Sequence, residues 1–180
     1  MDALRKEEEY TIEDIYALPE GRHAELIDGQ IYDMAPPSWR HQSVSGYLYN
    51  EIYNYIKSNH GQCQVLAAPF AVFLNKDNIN YFEPDISVIC DRSKLDEKGC
   101  HGAPDWIIEI VSPSSKQKDY VKKTLKYGTA GVREYWIVDP GKKCVTAYDF
   151  EKETMEEYPF GEAVPVGIYE GFAIKVEEPV

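Results

Sequence analysis

Between residues 38 and 58 the apolar positions Val44, Tyr47, Leu48, Ile52, Tyr55 and Ile56 return every three or four residues. That is the spacing of one face of a helix, and it predicts a long amphipathic helix closed by Gly61. Upstream, Thr11 is an N-cap residue followed by the acids Glu13 and Asp14. With Ile12, Ile15, Tyr16 and Leu18 it predicts a short helix that stops near Pro19 to Gly21. Residues 24–34 read as two short strands around Asp28-Gly29, a strong hairpin signal. Downstream of Gly61 the pattern becomes β-rich, with strands predicted at 64–67, 71–74, 84–90 and 106–111 and polar connections at 77–80 and 91–102. Ser114 with Gln117 matches a capping box and predicts a helix over 115–129 closed by Gly131. Strands at 134–139 and 143–150 follow, and the turn-punctuated tail over 154–176 supplies edge strands. The order predicts a mixed α/β domain with a central sheet.

At 180 residues, 43% of them hydrophobic, the chain suits one domain over 11–180 after a polar, flexible stretch at 1–10. No apolar run approaches the ~18 residues of a membrane span, and MDALRKEEEY lacks the core of a signal peptide. The expectation is a cytoplasmic protein without membrane contact. Cys63, Cys90, Cys100 and Cys144 are widely spaced with no CxxC pair. They fit reduced thiols at least as well as a disulfide framework, and zinc is not expected. A formal charge of -12, from 31 acidic against 19 basic side chains, argues against broad attraction to nucleic acid. One segment departs from this balance: Lys116, Lys118, Lys122, Lys123 and Lys126 stand against the single acid Asp119. A solvated helix face is the plain alternative for that run.

Glu109 interrupts Trp106-Ile107-Ile108-Glu109-Ile110-Val111, otherwise as apolar as a buried strand can be. A carboxylate there needs a partner, a metal or a shifted pKa. Asp85, after Pro84, opens another apolar strand. Two acids on neighbouring strands can share Mg²⁺, which prefers oxygen ligands and keeps waters for substrate. The alternatives are a strand-start cap for Asp85 and a half-exposed edge acid for Glu109. His41 and Gln42 open the long helix, where their side chains could approach a phosphate; a structural role for His41 is the alternative. His23, His60 and His101 show no ligand spacing, and Tyr127, Tyr135 and Trp136 read as core or interface aromatics.

Several of these residues form a pattern. Pro84-Asp85, Glu109 within Ile108-Glu109-Ile110-Val111-Ser112-Pro113-Ser114, Asp119, Lys123, Tyr127, Gly131-Val132, Glu134-Tyr135-Trp136 and Val138-Asp139-Pro140 resemble the Uma-two family, a bacterial branch of the PD-(D/E)XK nuclease superfamily. Tyr10-Thr11, Glu25-Leu26-Ile27-Asp28-Gly29, His41-Gln42 and Pro69 extend the resemblance over most of the chain. It implies a restriction-endonuclease-like core, a central mixed β-sheet flanked by helices, with further hairpins at both ends. It also implies Mg²⁺-dependent hydrolysis of DNA phosphodiesters, with Mn²⁺ as a substitute. The superfamily lysine two residues beyond the acid is here Val111. The resemblance places its substitute at Lys123, four residues after Asp119, with Lys116, Lys118 and Lys126 as fallbacks. By itself the Asp119–Lys123 spacing could be only a surface ion pair.

Under this reading Asp85, Glu109, the Ile110 carbonyl and Glu25 hold the metal and Lys123 serves the attacking water. His41, Gln42, Lys116, Lys118 and Lys126 then contact substrate. For Glu25 a solvated hairpin acid is the alternative. The acidic total suggests that a homodimer, a partner or a special DNA structure assists binding. Two competing readings are a catalytically silent nuclease-fold module used for assembly, and a glycosidase using Asp85 and Glu109, for which nothing else suggests a sugar cleft.

Overall fold

The computed structural model describes residues 9–112, 115 and 118–178. In chain order its elements are α1 (Ile12–Tyr16), β1 (Ala24–Ile27), β2 (Gln30–Asp33), α2 (Trp39–Ser58), β3 (Gln64–Ala67), β4 (Val72–Phe73), β5 (Ile86–Ile89), β6 (Leu95–Asp96), β7 (Gly99–His101) and β8 (Trp106–Ile110). A π-helical segment (Lys118–Lys123) runs into α3 (Thr124–Ala130), followed by β9 (Glu134–Asp139), β10 (Cys144–Asp149), β11 (Thr154–Pro159), β12 (Ala163–Pro165) and β13 (Ala173–Lys175).

The central sheet has six strands in the order β11-β10-β9-β8-β5-β3. Its pairs are antiparallel except β8 with β9, so the sheet is mixed. Parallel neighbours require a crossover, and here it carries the π-helical segment and α3. Side-chain alternation then assigns the two faces of β8. Trp106, Ile108 and Ile110 pack with Val44, Leu48, Ile52 and Ile56 of α2 and with Val164 and Ile174 of the β12–β13 hairpin. Ile107 and Val111 pack with Tyr127 of α3 and with Tyr135 and Ile137 of β9. Both faces are covered, which is why β8 reads as a continuous apolar run.

The Asp28-Gly29 turn has positive φ at both residues, 50° and 72°, the geometry that matches the twist of a two-residue hairpin. Leu26 and Tyr81 exchange backbone hydrogen bonds of 2.8 Å, which anchors β1 against the chain leading into β5. Glu134 is buried and ties the C-terminal hairpin to the sheet. Its Oε1 accepts from Trp136 Nε1 at 2.7 Å and its Oε2 from the Ile168 amide at 3.0 Å. Glu134→Ala would strand the buried Trp136 indole N–H and the half-buried Ile168 amide and is expected to cost about 2 to 3 kcal/mol in denaturant unfolding.

Four expectations need correction. The strand expected at 71–74 is the two-residue β4, and it joins a separate sheet in the order β4-β7-β6. The polar connection at 91–102 contains the β6–β7 hairpin. Its Gly99 sits at φ 150°, where an added Cβ would stand 2.3 Å from the Ala71 carbonyl oxygen, so close approach to β4 requires glycine. Cys63 and Cys90 form a disulfide, while Cys100 and Cys144 are free and buried. Finally, the stretch expected to be flexible to residue 10 is tied down at its end, because the Tyr10 amide donates to the Gly29 carbonyl at 2.8 Å. Residues 1–8 and the Ser114–Gln117 capping box lie outside the described residues. Among the described residues no helix is long and apolar enough to cross a membrane.

Candidate active site

Ile86 pairs with Ile108 and Ser87 with Ile107 in the β5–β8 ladder. Continuing that register by one residue sets Asp85 opposite Glu109, and directly opposed residues of an antiparallel pair point to the same face. Val111 follows Glu109 on that face and is buried among apolar side chains. The charge facing Glu109 arrives instead from the crossover. Lys123 Nζ lies 2.7 Å from Glu109 Oε1, 2.8 Å from Glu25 Oε1 and 3.4 Å from Asp119 Oδ1, and all four side chains are buried. Tyr127, one turn beyond Lys123, donates its hydroxyl to Glu109 Oε1 at 2.8 Å.

The wide turns of the π-helical segment are supported by hydroxyls. Thr124 Oγ1 donates to the carbonyls of Asp119 and Tyr120, each at 3.2 Å, and Tyr135 donates to the Asp119 carbonyl at 3.2 Å. Such segments are rare and concentrate at functional sites.

Asp85 forms the outer part of the constellation, with 14% of its side chain exposed. Its Oδ2 accepts from the Ile110 amide at 2.7 Å and stands 3.1 Å from His41 Nε2, which α2 delivers from its first turn. Oδ1 accepts no hydrogen bond among the described residues. Burial works against the charged form of His41, but Asp85 and the Ile110 carbonyl outweigh it and hold the imidazole pKa above its ordinary value.

Burial pushes the Glu109 carboxyl up from 4.5 to about 8. Lys123 opposes that rise, while Asp119, Asp85 and Glu25 add to it. Burial also disfavours the Lys123 ammonium, yet Glu109, Glu25 and Asp119 overcome this and keep it protonated. The cluster therefore keeps Lys123 charged and makes Glu109 hold its proton more readily than an ordinary carboxyl. The donor set is oxygen-only and rich in carboxylates, which suits a hard cation such as Mg²⁺. Among the described residues no group of three or more His, Cys, Asp or Glu side chains is placed to hold a metal ion. Mg²⁺ normally takes one or two carboxylates and keeps several waters, so the pair Asp85 and Glu109 fits it without a larger group.

Of the residues singled out in the sequence, the fold brings Glu25, Glu109 and Lys123 into one buried cluster and sets Asp85, His41 and Ile110 beside it. Gln42 is exposed. Lys126 is engaged with Asp28 of the β1–β2 turn. Lys116 lies outside the described residues, and for Lys118 only the backbone is described. Two further side chains join the cluster. Asp119 is a buried member of the cluster rather than half of a surface pair. Tyr127, read as a core aromatic, touches Glu109, and its position four residues after Lys123 was the available signal. Tyr127→Phe removes a hydrogen bond to the carboxylate form. It is expected to cost about 1 to 2 kcal/mol of stability and to move the rising limb of the pH–activity profile to higher pH, as unfolding and initial-rate series would reveal.

A family model described as "Putative restriction endonuclease" matches residues 10–177. A solved structure described as a "putative nuclease belonging to DUF820" from Anabaena variabilis is 25% identical. It superposes with a TM-score of 0.72, covering 88% of this chain and 89% of that one. An uncharacterized protein of Synechocystis sp. is 30% identical over 95 residues, 53% of this chain and 48% of that protein. The chain thus spans about half the length of the curated relative it matches.

Proposed function

Since the chain belongs to the Uma2 family of restriction-endonuclease-like proteins, we propose that it is a Mg²⁺-dependent nuclease that hydrolyses DNA phosphodiester bonds. The observation that carries the proposal is the buried cluster in which Lys123, from the crossover helix, stands 2.7 Å from Glu109. That contact supplies the ammonium that Val111 cannot. Asp85, Glu109, the Ile110 carbonyl and Glu25 are the oxygens that would hold Mg²⁺, with Mn²⁺ as a substitute. When bound, the cation supplies positive charge for the phosphate oxygens and lowers the pKa of a coordinated water.

The chain's own groups do the remaining work. Glu109 gives up its proton before it can act as a ligand. Lys123 orients the attacking water and offsets charge that develops on phosphorus. His41, held against Asp85 with its imidazole pKa raised, presents its ring to a backbone phosphate, which positions substrate without reading sequence. Incubating the protein with linear, supercoiled, branched and single-stranded DNA plus Mg²⁺ or Mn²⁺, beside Asp85→Ala, tests this. Cleavage by wild type alone is expected. Inactivity on every substrate, together with no divalent-ion binding by calorimetry, would sink the reading.

The second reading is a catalytically silent module of the same fold, favoured by the engagement of Glu109 Oε1 by both Lys123 and Tyr127. Such a network is complete without a cation, so absence of Mg²⁺ binding in that calorimetry selects it.

A further inference from the structure

Two exposed side chains that precede His41, Trp39 and Arg40, begin α2 immediately after Pro36-Pro37-Ser38. The two prolines restrict the backbone of the approach, and Ser38 caps the helix by accepting from the His41 amide at 3.2 Å. Trp39 is 57% exposed, a large apolar side chain left in water on the turn that also delivers His41 to Asp85. The Arg40 guanidinium carbon lies 5.0 Å from the Trp39 ring centroid, a cation–π contact. Among the described residues no carboxylate reaches Arg40 within ion-pair distance, so its charge remains available to a ligand.

We propose that Trp39 and Arg40 form a platform for an unpaired nucleobase and its phosphate on the turn of α2 that carries His41, making single-stranded or locally unpaired DNA the preferred substrate. The proposal rests on the nuclease reading and deepens it. An indole more than half exposed offers a surface on which a base can stack, and a base inside a duplex has both faces covered by its neighbours. Arg40 alongside suits the adjoining phosphate. Charge points the same way: a chain of net charge -12 is repelled by the dense charge of duplex DNA and less so by a single strand. The platform and His41, which reaches Asp85, stand on the same first turn of α2.

The chain contains three tryptophans, and Trp106 and Trp136 are fully buried. Loss of emission on adding DNA therefore reports on Trp39. The test uses the full chain with Ca²⁺ in place of Mg²⁺. A labelled oligothymidylate and a duplex of equal length are followed both by anisotropy and by tryptophan emission. Oligothymidylate should quench the emission with the same midpoint as the anisotropy change. Trp39→Ala should weaken that binding roughly five- to a hundredfold, with duplex binding changed less than about twofold. Its melting temperature should equal that of wild type, because the position is exposed. Binding of oligothymidylate without quenching, or with equal affinity in Trp39→Ala, overturns the platform and leaves the nuclease reading standing. If neither DNA binds and neither is cut with Mg²⁺, both fall together.

Discussion

Glu109→Gln is expected to lower DNA cleavage by about 10²- to 10³-fold while flattening the dependence of stability on pH. The folded carboxyl holds its proton to about pH 8, against an ordinary 4.5. Within that window the unfolded chain has released a proton that the folded chain retains. The contribution to stability is therefore fully present below the ordinary value and is lost as pH rises towards 8. At about 1.4 kcal/mol for each pH unit, the loss is on the order of a few kcal/mol. An amide has no proton to lose, so denaturant unfolding of Glu109→Gln between pH 5 and 8 should give the shallower profile. Parallel profiles for variant and wild type would locate the buried proton elsewhere. The same proton must leave when a cation arrives. Calorimetry of wild type at pH 7 should accordingly show a Mg²⁺-binding enthalpy that changes with the ionisation heat of the buffer, and Glu109→Gln should not.

Lys123→Met is expected to abolish cleavage and to lower the free energy of unfolding by about 3 to 5 kcal/mol at pH 8. The cost does not come from losing a favourable ion pair as such. Glu25, Glu109 and Asp119 would be left buried without the ammonium that all three approach, and an uncompensated buried charge is what destabilises. Removing Lys123 removes a charge that holds the Glu109 carboxyl down, so its folded value climbs further and the loss of stability extends to higher pH. Near pH 5, where the Glu109 carboxyl is neutral, the deficit should shrink. Unfolding curves at the two pH values distinguish this from loss of packing, which would destabilise the variant equally at both.

Much of the fold was legible because the patterns behind it are local. The stripe from Val44 to Ile56 produced α2, and Asp28-Gly29 produced the first hairpin because few residue pairs tolerate positive φ at both turn positions. The oddity of Glu109 was legible too, since one acid among apolar residues of a strand requires an explanation wherever the strand goes. What local pattern missed was long-range. The short β6–β7 hairpin forms because Gly99 lets the chain approach Ala71, a contact between residues far apart in sequence. The π-helical register depends on the Tyr135 hydroxyl from another strand. For Glu25, hairpin position left a solvated acid as the alternative to a site residue, and the anchoring of β1 to Tyr81 places it fully inside.

By itself the sequence determined which residues carry charge into an apolar setting, where helices and turns begin and end, and which family the chain resembles. Tertiary structure alone decided which acids share the space: it set Asp85 against Glu109 through strand register and brought Asp119 and Tyr127 inward through the crossover. The physical reason is range. Propensity, capping and periodicity act over a few residues, whereas burial is a property of what packs on top. Whether a carboxylate costs a little or a great deal depends on neighbours that arrive from 14 to 98 positions away along the chain, as Lys123 does for Glu109 and, at 2.8 Å, for Glu25.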